Sequence, residues 1–142
     1  MKIFVLGHKG MLGHMVVTYL ESQGINVHTV NQRFPNWDSK IFKGTNYVIN
    51  CIGAIPQRTN SFKINYELPI WLSNNLDCKI IHPGTDCEID NDDYGISKKK
   101  ATDFILNESN NTKILKASII GPKLNSKASL LEWFLSQKTE VF

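Results

Sequence analysis

Tyr94 and Lys98 stand four positions apart in the segment YGISK and could together carry out acid–base chemistry. A helical pattern covers residues 92–107, so the two side chains would share one helix face with Cβ atoms about 5–6 Å apart. A nearby ammonium favours a tyrosinate, and the sequence therefore predicts a lowered phenol pKa at Tyr94. Such a phenol exchanges a proton with a carbonyl being reduced or an alcohol being oxidised. The alternative is an ordinary helix start, since this spacing also occurs by chance.

A glycine-rich segment near the start of the chain could bind the phosphates of a dinucleotide. Its glycines have GxxGxxG spacing, and they lie between an apolar run and a helical pattern. In that context the first permits a tight turn, the second lets backbone amides approach a pyrophosphate, and the third allows close helix–sheet packing. The alternative is a glycine-rich turn without a ligand. The residues expected to contact the dinucleotide are Gly7, His8, Lys9, Gly10, Met11, Leu12 and Gly13.

The end of the second predicted strand bears on the choice between NAD and NADP. NAD-specific sites place a carboxylate about 20 positions after the glycines, where it binds the ribose 2′-hydroxyl, whereas basic residues there accept a 2′-phosphate. Here the strand is followed by Asn31, Gln32 and Arg33, with no carboxylate. Arg33, with His8 or Lys9, could bring positive charge to a phosphate. The sequence therefore favours NADP(H) and leaves NAD(H) open; the alternative makes Arg33 a solvated loop residue.

Strands and helices alternate along the chain in an order that would bring these segments together. Apolar runs predict strands over residues 3–6, 26–30, 47–52, 79–82 and 114–120. Helical patterns cover residues 11–22, 65–75, 92–107 and 127–137. Residues 33–44 contain Pro35 and Asp38 and leave too little room for a further strand and helix. This alternation predicts the α/β class, as a Rossmann-type doubly wound parallel sheet flanked by helices.

Composition narrows the classes of function. The 142 residues are 42% hydrophobic, which is ordinary for one soluble domain. A net charge of +3 with scattered positive residues gives no footprint for a polyanion, so we expect no nucleic-acid partner. Cys51, Cys78 and Cys87 lack metal-site spacing, which predicts reduced thiols, no metal and a cytoplasmic location. No apolar run has the length of a membrane span, and we expect no membrane partner.

Together these motifs resemble the extended short-chain dehydrogenase/reductase family, and within it the dTDP-4-dehydrorhamnose reductase-like branch. The resemblance covers nearly the whole chain. Besides the glycines and YGISK, it includes VINCIGA at 48–54, NYELP at 65–69, TDC at 85–87 and SIIGP at 118–122. It implies an NAD(P)-dependent oxidoreductase that reduces a nucleotide-linked 4-keto-6-deoxysugar, with that nucleotide-sugar as its partner.

The resemblance also implies roles for single residues. Thr85 would hydrogen-bond the substrate oxygen, Tyr94 would be the acid/base, and Lys98 would orient the nicotinamide ribose and tune Tyr94. Further cofactor contacts would come from the segment after the third strand and from one residue near the nicotinamide, namely Cys51, Ile52, Gly53 and Ile120.

Two departures from the family pattern leave other functions open. Only eight residues separate Thr85 from Tyr94, where the family has a longer loop that shapes the substrate pocket, and Gly84 stands where another hydroxyl residue is common. We also expect residues 1–142 to form the NAD(P)-binding domain alone, as a fragment without the C-terminal substrate domain. The alternatives are an NAD-dependent sugar-nucleotide epimerase and a non-catalytic dinucleotide-binding module. Whatever the function, a homodimer remains open.

Overall fold

A parallel sheet forms the centre of the fold in a computed structural model, which describes residues 1–116 and 130–136. Within these residues the sheet has five strands in the order β2-β1-β3-β4-β5, and every pairing is parallel. The chain reverses its direction across the sheet between β1 and β3, which opens a crevice at the carboxyl ends of those strands. The predicted Rossmann-type sheet is confirmed. The strands are β1 (Ile3–Leu6), β2 (Val27–Thr29), β3 (Tyr47–Asn50), β4 (Lys79–Gly84) and β5 (Thr112–Lys116).

Helices connect the strands and cover the sheet. The helices that follow β3 and β4 pack together. Because crossovers between parallel strands are right-handed in almost all cases, the helix between β1 and β2 belongs on the opposite face of the sheet. No helix in the described part of the chain combines the length and apolarity needed to cross a bilayer. The four helices of the described residues are α1 (Met11–Ser22), α2 (Ile64–Asn75), α3 (Asp93–Glu108) and the short α4 (Leu130–Leu135).

The ends of the elements differ from the prediction in instructive places. The strand predicted over 47–52 ends at Asn50, because the Asn50 side chain accepts the N–H of Ile52 at 3.1 Å and turns the chain. The strand predicted over 79–82 continues to Gly84, because Pro83 and Gly84 still pair with β5. β5 itself begins at Thr112 rather than at residue 114, and residues 117–120 of that prediction lie outside the described residues.

Residues 33–44 contain no strand, as predicted, and are instead anchored by aromatic packing. A short 3₁₀ helix covers Ser39–Phe42. The Trp37 indole lies edge-on to Phe34 and Trp71, with ring centroids 5.6 and 6.1 Å away, and its Nε1 donates to the Gln32 carbonyl at 2.6 Å. These contacts fix the backbone on both sides of Arg33.

The apolar core between the sheet and α2 determines where the strand ends lie. Leu6, Val48, Leu68, Leu72 and Ile80 are at most 1% exposed within it. Burying one such side chain stabilises a fold by about 1.5–3 kcal/mol. The carboxyl ends of β1, β3 and β4 are therefore held firmly beside one another, and the loops that follow them share one edge of the sheet.

Candidate functional site

Two adjoining clefts open at the carboxyl edge of the sheet. The first, of about 350 Å³, lies between the segment after β1 and the segment after β2, and we call it the glycine-loop cleft. The second, of about 390 Å³, lies between the segment after β3 and the start of α3, and we call it the tyrosine cleft. Ile52 lines both clefts, so one extended ligand could occupy them together.

The glycine loop depends on the absence of side chains at two positions. Gly7 has φ +77°, and a Cβ there would lie 2.8 Å from the Cys51 carbonyl oxygen. A Cβ on Gly13 would overlap the Gly7 carbonyl, so α1 packs directly against the loop. The loop can take this path only with glycine at both positions.

The N-terminus of α1 lies at the two clefts and could receive an anion. Gly10 is its N-cap, no side chain caps the helix, and no acidic residue occupies the first turn. The first amides of a helix lack partners within that helix and carry the positive end of its dipole. Met11 and Leu12 line the tyrosine cleft, so their backbone could meet a phosphate where the two clefts join.

Charge and shape in the glycine-loop cleft suit a phosphorylated, partly apolar ligand. Its lining includes His8, Lys9 and Arg33 and no carboxylate, while Val30 and Phe34 contribute apolar surface. The Nδ1 atom of His8 is buried and has no hydrogen-bond partner among the described residues. A buried polar atom without a partner is costly. Because this atom is shielded, a ligand oxygen could reach it only if the His8 ring turned toward the cleft.

Thr85 and Tyr94 come together in the tyrosine cleft. Thr85 is the N-cap of a 3₁₀ helix, Asp86–Ile89, and its Oγ1 accepts the N–H of Cys87 at 3.3 Å. Burial raises the pKa of the half-buried Tyr94, a hydrogen bond with Thr85 lowers it, and the charges of Cys87, Asp92 and Glu88 raise it further. The net direction is upward.

The predicted lowering of the Tyr94 pKa is therefore wrong. Lys98 does share the cleft with Tyr94, one helical turn away. Its Nζ donates instead to the Pro83 carbonyl at 3.0 Å, and its side chain is only 8% exposed. Burial lowers the pKa of Lys98, although the charge of Glu88 raises it. Burial first, and then the nearby acidic groups, therefore disfavour tyrosinate at Tyr94.

Glu88 organises the short segment between Thr85 and Tyr94. Its carboxylate accepts from the Thr102 hydroxyl at 2.7 Å, from Lys116 Nζ at 3.0 Å and from the Thr85 N–H at 3.5 Å. The 3₁₀ helix is thereby tied to α3 and β5. Sequence analysis missed this residue, although the T-x-x-E spacing of Thr85 and Glu88 is a readable capping box.

Asn65 ties the segment after β3 to the start of α3. This α2 residue is 1% exposed; its Oδ1 accepts the Ala54 N–H at 2.7 Å, and its Nδ2 donates to the Ala54 carbonyl at 3.0 Å and to Ser97 Oγ at 3.1 Å. Ser97 donates in turn to the Tyr94 carbonyl at 2.7 Å. One buried amide thus holds together two walls of the tyrosine cleft.

The structure brings most of the predicted site residues to the two clefts. The glycine-loop cleft is lined by Gly7, His8, Lys9, Gly10, Arg33 and Ile52. The tyrosine cleft is lined by Met11, Leu12, Cys51, Ile52, Gly53, Thr85, Tyr94 and Lys98. Gly13 lies behind the loop, and Ile120 lies outside the described residues.

Burial raises the pKa of Cys51 to about 12, so its thiol stays neutral in the cleft. Across residues 1–116 and 130–136, no cluster of potential ligands could hold a metal ion.

No protein-family model and no curated protein matches the sequence, but solved structures do. A dTDP-4-dehydrorhamnose reductase from Clostridium acetobutylicum matches with a TM-score of 0.61 and 20% identity, over 85% of this chain and 54% of that one. A UDP-rhamnose synthase from Acanthamoeba polyphaga mimivirus matches with a TM-score of 0.69 and 18% identity, over 82% and 55%. A short-chain dehydrogenase/reductase superfamily protein from Agrobacterium tumefaciens with bound NAD matches with a TM-score of 0.67 and 18% identity, over 94% and 54%.

These matches extend the resemblance seen in the motifs to the path of the backbone. The chain spans little more than half the length of each of these three proteins. At this level of identity the similarity shows a shared fold. The described chain therefore has the Rossmann-type fold of known sugar-nucleotide enzymes and of an NAD-binding short-chain dehydrogenase/reductase protein.

Proposed function

We propose that this protein is an NADP-dependent reductase of the extended short-chain dehydrogenase/reductase family that acts on a nucleotide-linked 4-keto-6-deoxysugar. The observation that carries the proposal is the junction of the two clefts at Ile52. There the glycine loop lies beside the hydroxyl groups of Thr85 and Tyr94 and the buried Lys98, a combination that supports phosphate binding next to carbonyl chemistry. The names of the similar reductase and synthase support the sugar-nucleotide substrate.

The chain's own residues fit a dinucleotide across both clefts. Amides of the uncapped α1 N-terminus would hold the pyrophosphate, and the absence of a side chain at Gly10, the N-cap, would let it approach closely. The Arg33 guanidinium, with His8 or Lys9, would hold phosphate oxygens, including a 2′-phosphate. Lys98 would contact the nicotinamide ribose. When bound, the dinucleotide would supply the hydride for the carbonyl carbon.

Tyr94 and Thr85 would handle the carbonyl oxygen. The Thr85 hydroxyl would hydrogen-bond this oxygen, and Tyr94 would deliver the proton that balances the added hydride, which leaves an alcohol. The raised pKa of Tyr94 keeps the phenol protonated near neutral pH, as a proton donor requires. A cytoplasmic location would suit such a reduction.

A redox balance with a 4-keto-6-deoxysugar nucleotide tests the proposal. We expect NADPH to be consumed one for one with the alcohol product, as followed by NADPH absorbance and product chromatography. Turnover without net NADPH oxidation would instead identify an epimerase. Dinucleotide binding without turnover of any sugar nucleotide by the longest natural form of the protein would identify a non-catalytic module.

A further inference from the structure

His82 is a buried histidine directly beneath the tyrosine cleft. It lies on β4, next to the Pro83 carbonyl that accepts from Lys98, and it is 2% exposed. Burial, together with the charge of Lys98, lowers the pKa of His82 to about 3. Its imidazole is therefore neutral at physiological pH and has one nitrogen that accepts a hydrogen bond.

The partner of this imidazole is Asn50, at the end of β3. Asn50 is fully buried, and its Nδ2 lies 3.2 Å from His82 Nδ1. The Asn50 Oδ1 accepts the backbone N–H of Ile52 at 3.1 Å, which fixes the orientation of the amide. Nδ2 must then be the donor and His82 Nδ1 the acceptor, so the imidazole proton is on Nε2.

These hydrogen bonds lead from His82 through Asn50 to Ile52, and Ile52 is where the two clefts meet. The preceding residue, Cys51, donates its N–H to the Leu6 carbonyl at 2.9 Å and lies against Gly7. Any rotation of the Asn50 amide would release the Ile52 N–H and allow the wall shared by both clefts to move. The hydrogen bond between Asn50 and His82 thus affects where a ligand can lie, although His82 is two strands away from the glycine loop.

We propose that His82 is a positioning residue for dinucleotide binding, which acts as the hydrogen-bond acceptor that locks Asn50 and, through it, the Ile52 turn. This role rests on the proposed function of the two clefts. His82 itself need not touch the ligand. What matters is an acceptor at the position of its Nδ1 atom.

A matched pair of polar substitutions tests where the acceptor must be. His82→Asn places an amide oxygen near the Nδ1 position, whereas His82→Gln places it one atom further along the side chain. We expect the Asn variant to bind NADPH within about twofold of wild type, and the Gln variant to bind about tenfold more weakly because the Asn50 donor is left without a partner. Ile80→Val, also buried on β4, controls for loss of stability and should bind as wild type does.

Amide hydrogen exchange gives a second measurement that needs no substitution. The Ile52 amide of the wild-type protein should be protected although it lies outside the strands, and its protection should persist in His82→Asn and fall in His82→Gln. Equal affinities of the two His82 variants, or an unprotected Ile52 amide in the wild type, would overturn the role of His82 alone. A wild-type protein that binds neither NADPH nor NADH would overturn the proposed function and this role together.

Discussion

The glycine-loop cleft and the tyrosine cleft share one sheet edge but are held in different ways. The first is shaped by backbone, through Gly7 and Gly13 and the uncapped start of α1. The second is shaped by buried side-chain hydrogen bonds, of which those of Asn65 and Glu88 are the most extensive.

The difference determines how each cleft responds to change. A backbone-shaped cleft tolerates no added atom where chain segments touch, and its contacts to a pyrophosphate would come from amides that every residue except proline possesses. A cleft shaped by side chains depends on particular donors and acceptors, and it can lose one function while it keeps its form. Substitutions in the two clefts should therefore impair the protein in different ways.

The largest effect is expected from Gly13→Ala. The new methyl group would overlap the Gly7 carbonyl, which cannot move without shifting α1 or β1. We expect a loss of more than about 3 kcal/mol in unfolding free energy and no measurable dinucleotide binding. Denaturant unfolding and an NADPH titration would measure both.

Gly24→Ala is the control for this prediction. Gly24 has φ +73°, but no atom lies within 4 Å of the added Cβ. The substitution should cost about 1 kcal/mol through backbone strain and leave binding intact. Equal effects of the two substitutions would remove the argument that close packing at Gly13 shapes the cleft.

Tyr94→Phe should impair the tyrosine cleft and leave the glycine-loop cleft intact. It removes the transferable proton and little else, so NADPH affinity should stay near wild type while turnover falls about 10²–10⁴-fold. Sugar-nucleotide reduction by the longest active form of the protein would show this, with Tyr66→Phe on the neighbouring helix as the control. Wild-type turnover by Tyr94→Phe would make YGISK an ordinary helix start.

Arg33→Ala should act only within the glycine-loop cleft. If Arg33 binds a 2′-phosphate, the affinity of the variant for NADPH should fall about tenfold while its affinity for NADH changes little. The dissociation constants for the two cofactors should therefore become more alike. Arg58→Ala removes an exposed arginine that lines neither cleft and should leave the ratio unchanged. Tighter binding of NADH by the wild type would contradict the NADP preference.

Glu88→Gln should have the smallest effect, and one that depends on pH. Burial opposes ionisation of Glu88, but bonds from Thr102, Lys116 and the Thr85 N–H outweigh it and hold its pKa below the usual range. A lowered folded-state pKa gives stability that is present above the unfolded-state pKa and is lost as pH falls through the folded-state pKa.

The free energy of unfolding of the wild type should therefore exceed that of Glu88→Gln by about 1 kcal/mol at neutral pH, and this difference should disappear in acid. Urea unfolding at a series of pH values would measure it. Asp103→Asn, which breaks an exposed pair with Lys99, should show no comparable gap. A gap that widens in acid would contradict the pKa direction assigned to Glu88.

The sequence predicts the backbone-shaped region well because its causes are local. The strand Ile3–Leu6 and the helix Met11–Ser22 are each readable within a few residues and are confirmed, as are the tight turn at Gly7 and the close packing at Gly13. The phosphate contact expected of the glycine loop stays a prediction. The pKa of Tyr94 was predicted in the wrong direction because it depends on contacts between elements. The burial of Tyr94, which is the largest cause, does not follow from the i, i+4 spacing, and neither does the Pro83 carbonyl that accepts from the Lys98 ammonium. His82 likewise gains its role only when β3 and β4 lie side by side.

A titration of the wild-type chain with NADPH, followed at each backbone amide by NMR, tests the central claim most directly. The account predicts saturable one-to-one binding, with the largest shifts at residues 7–13, 31–33 and 51–54, where the two clefts lie. No saturable binding, or shifts concentrated around Ser39–Phe42 at the other end of the sheet, would contradict it.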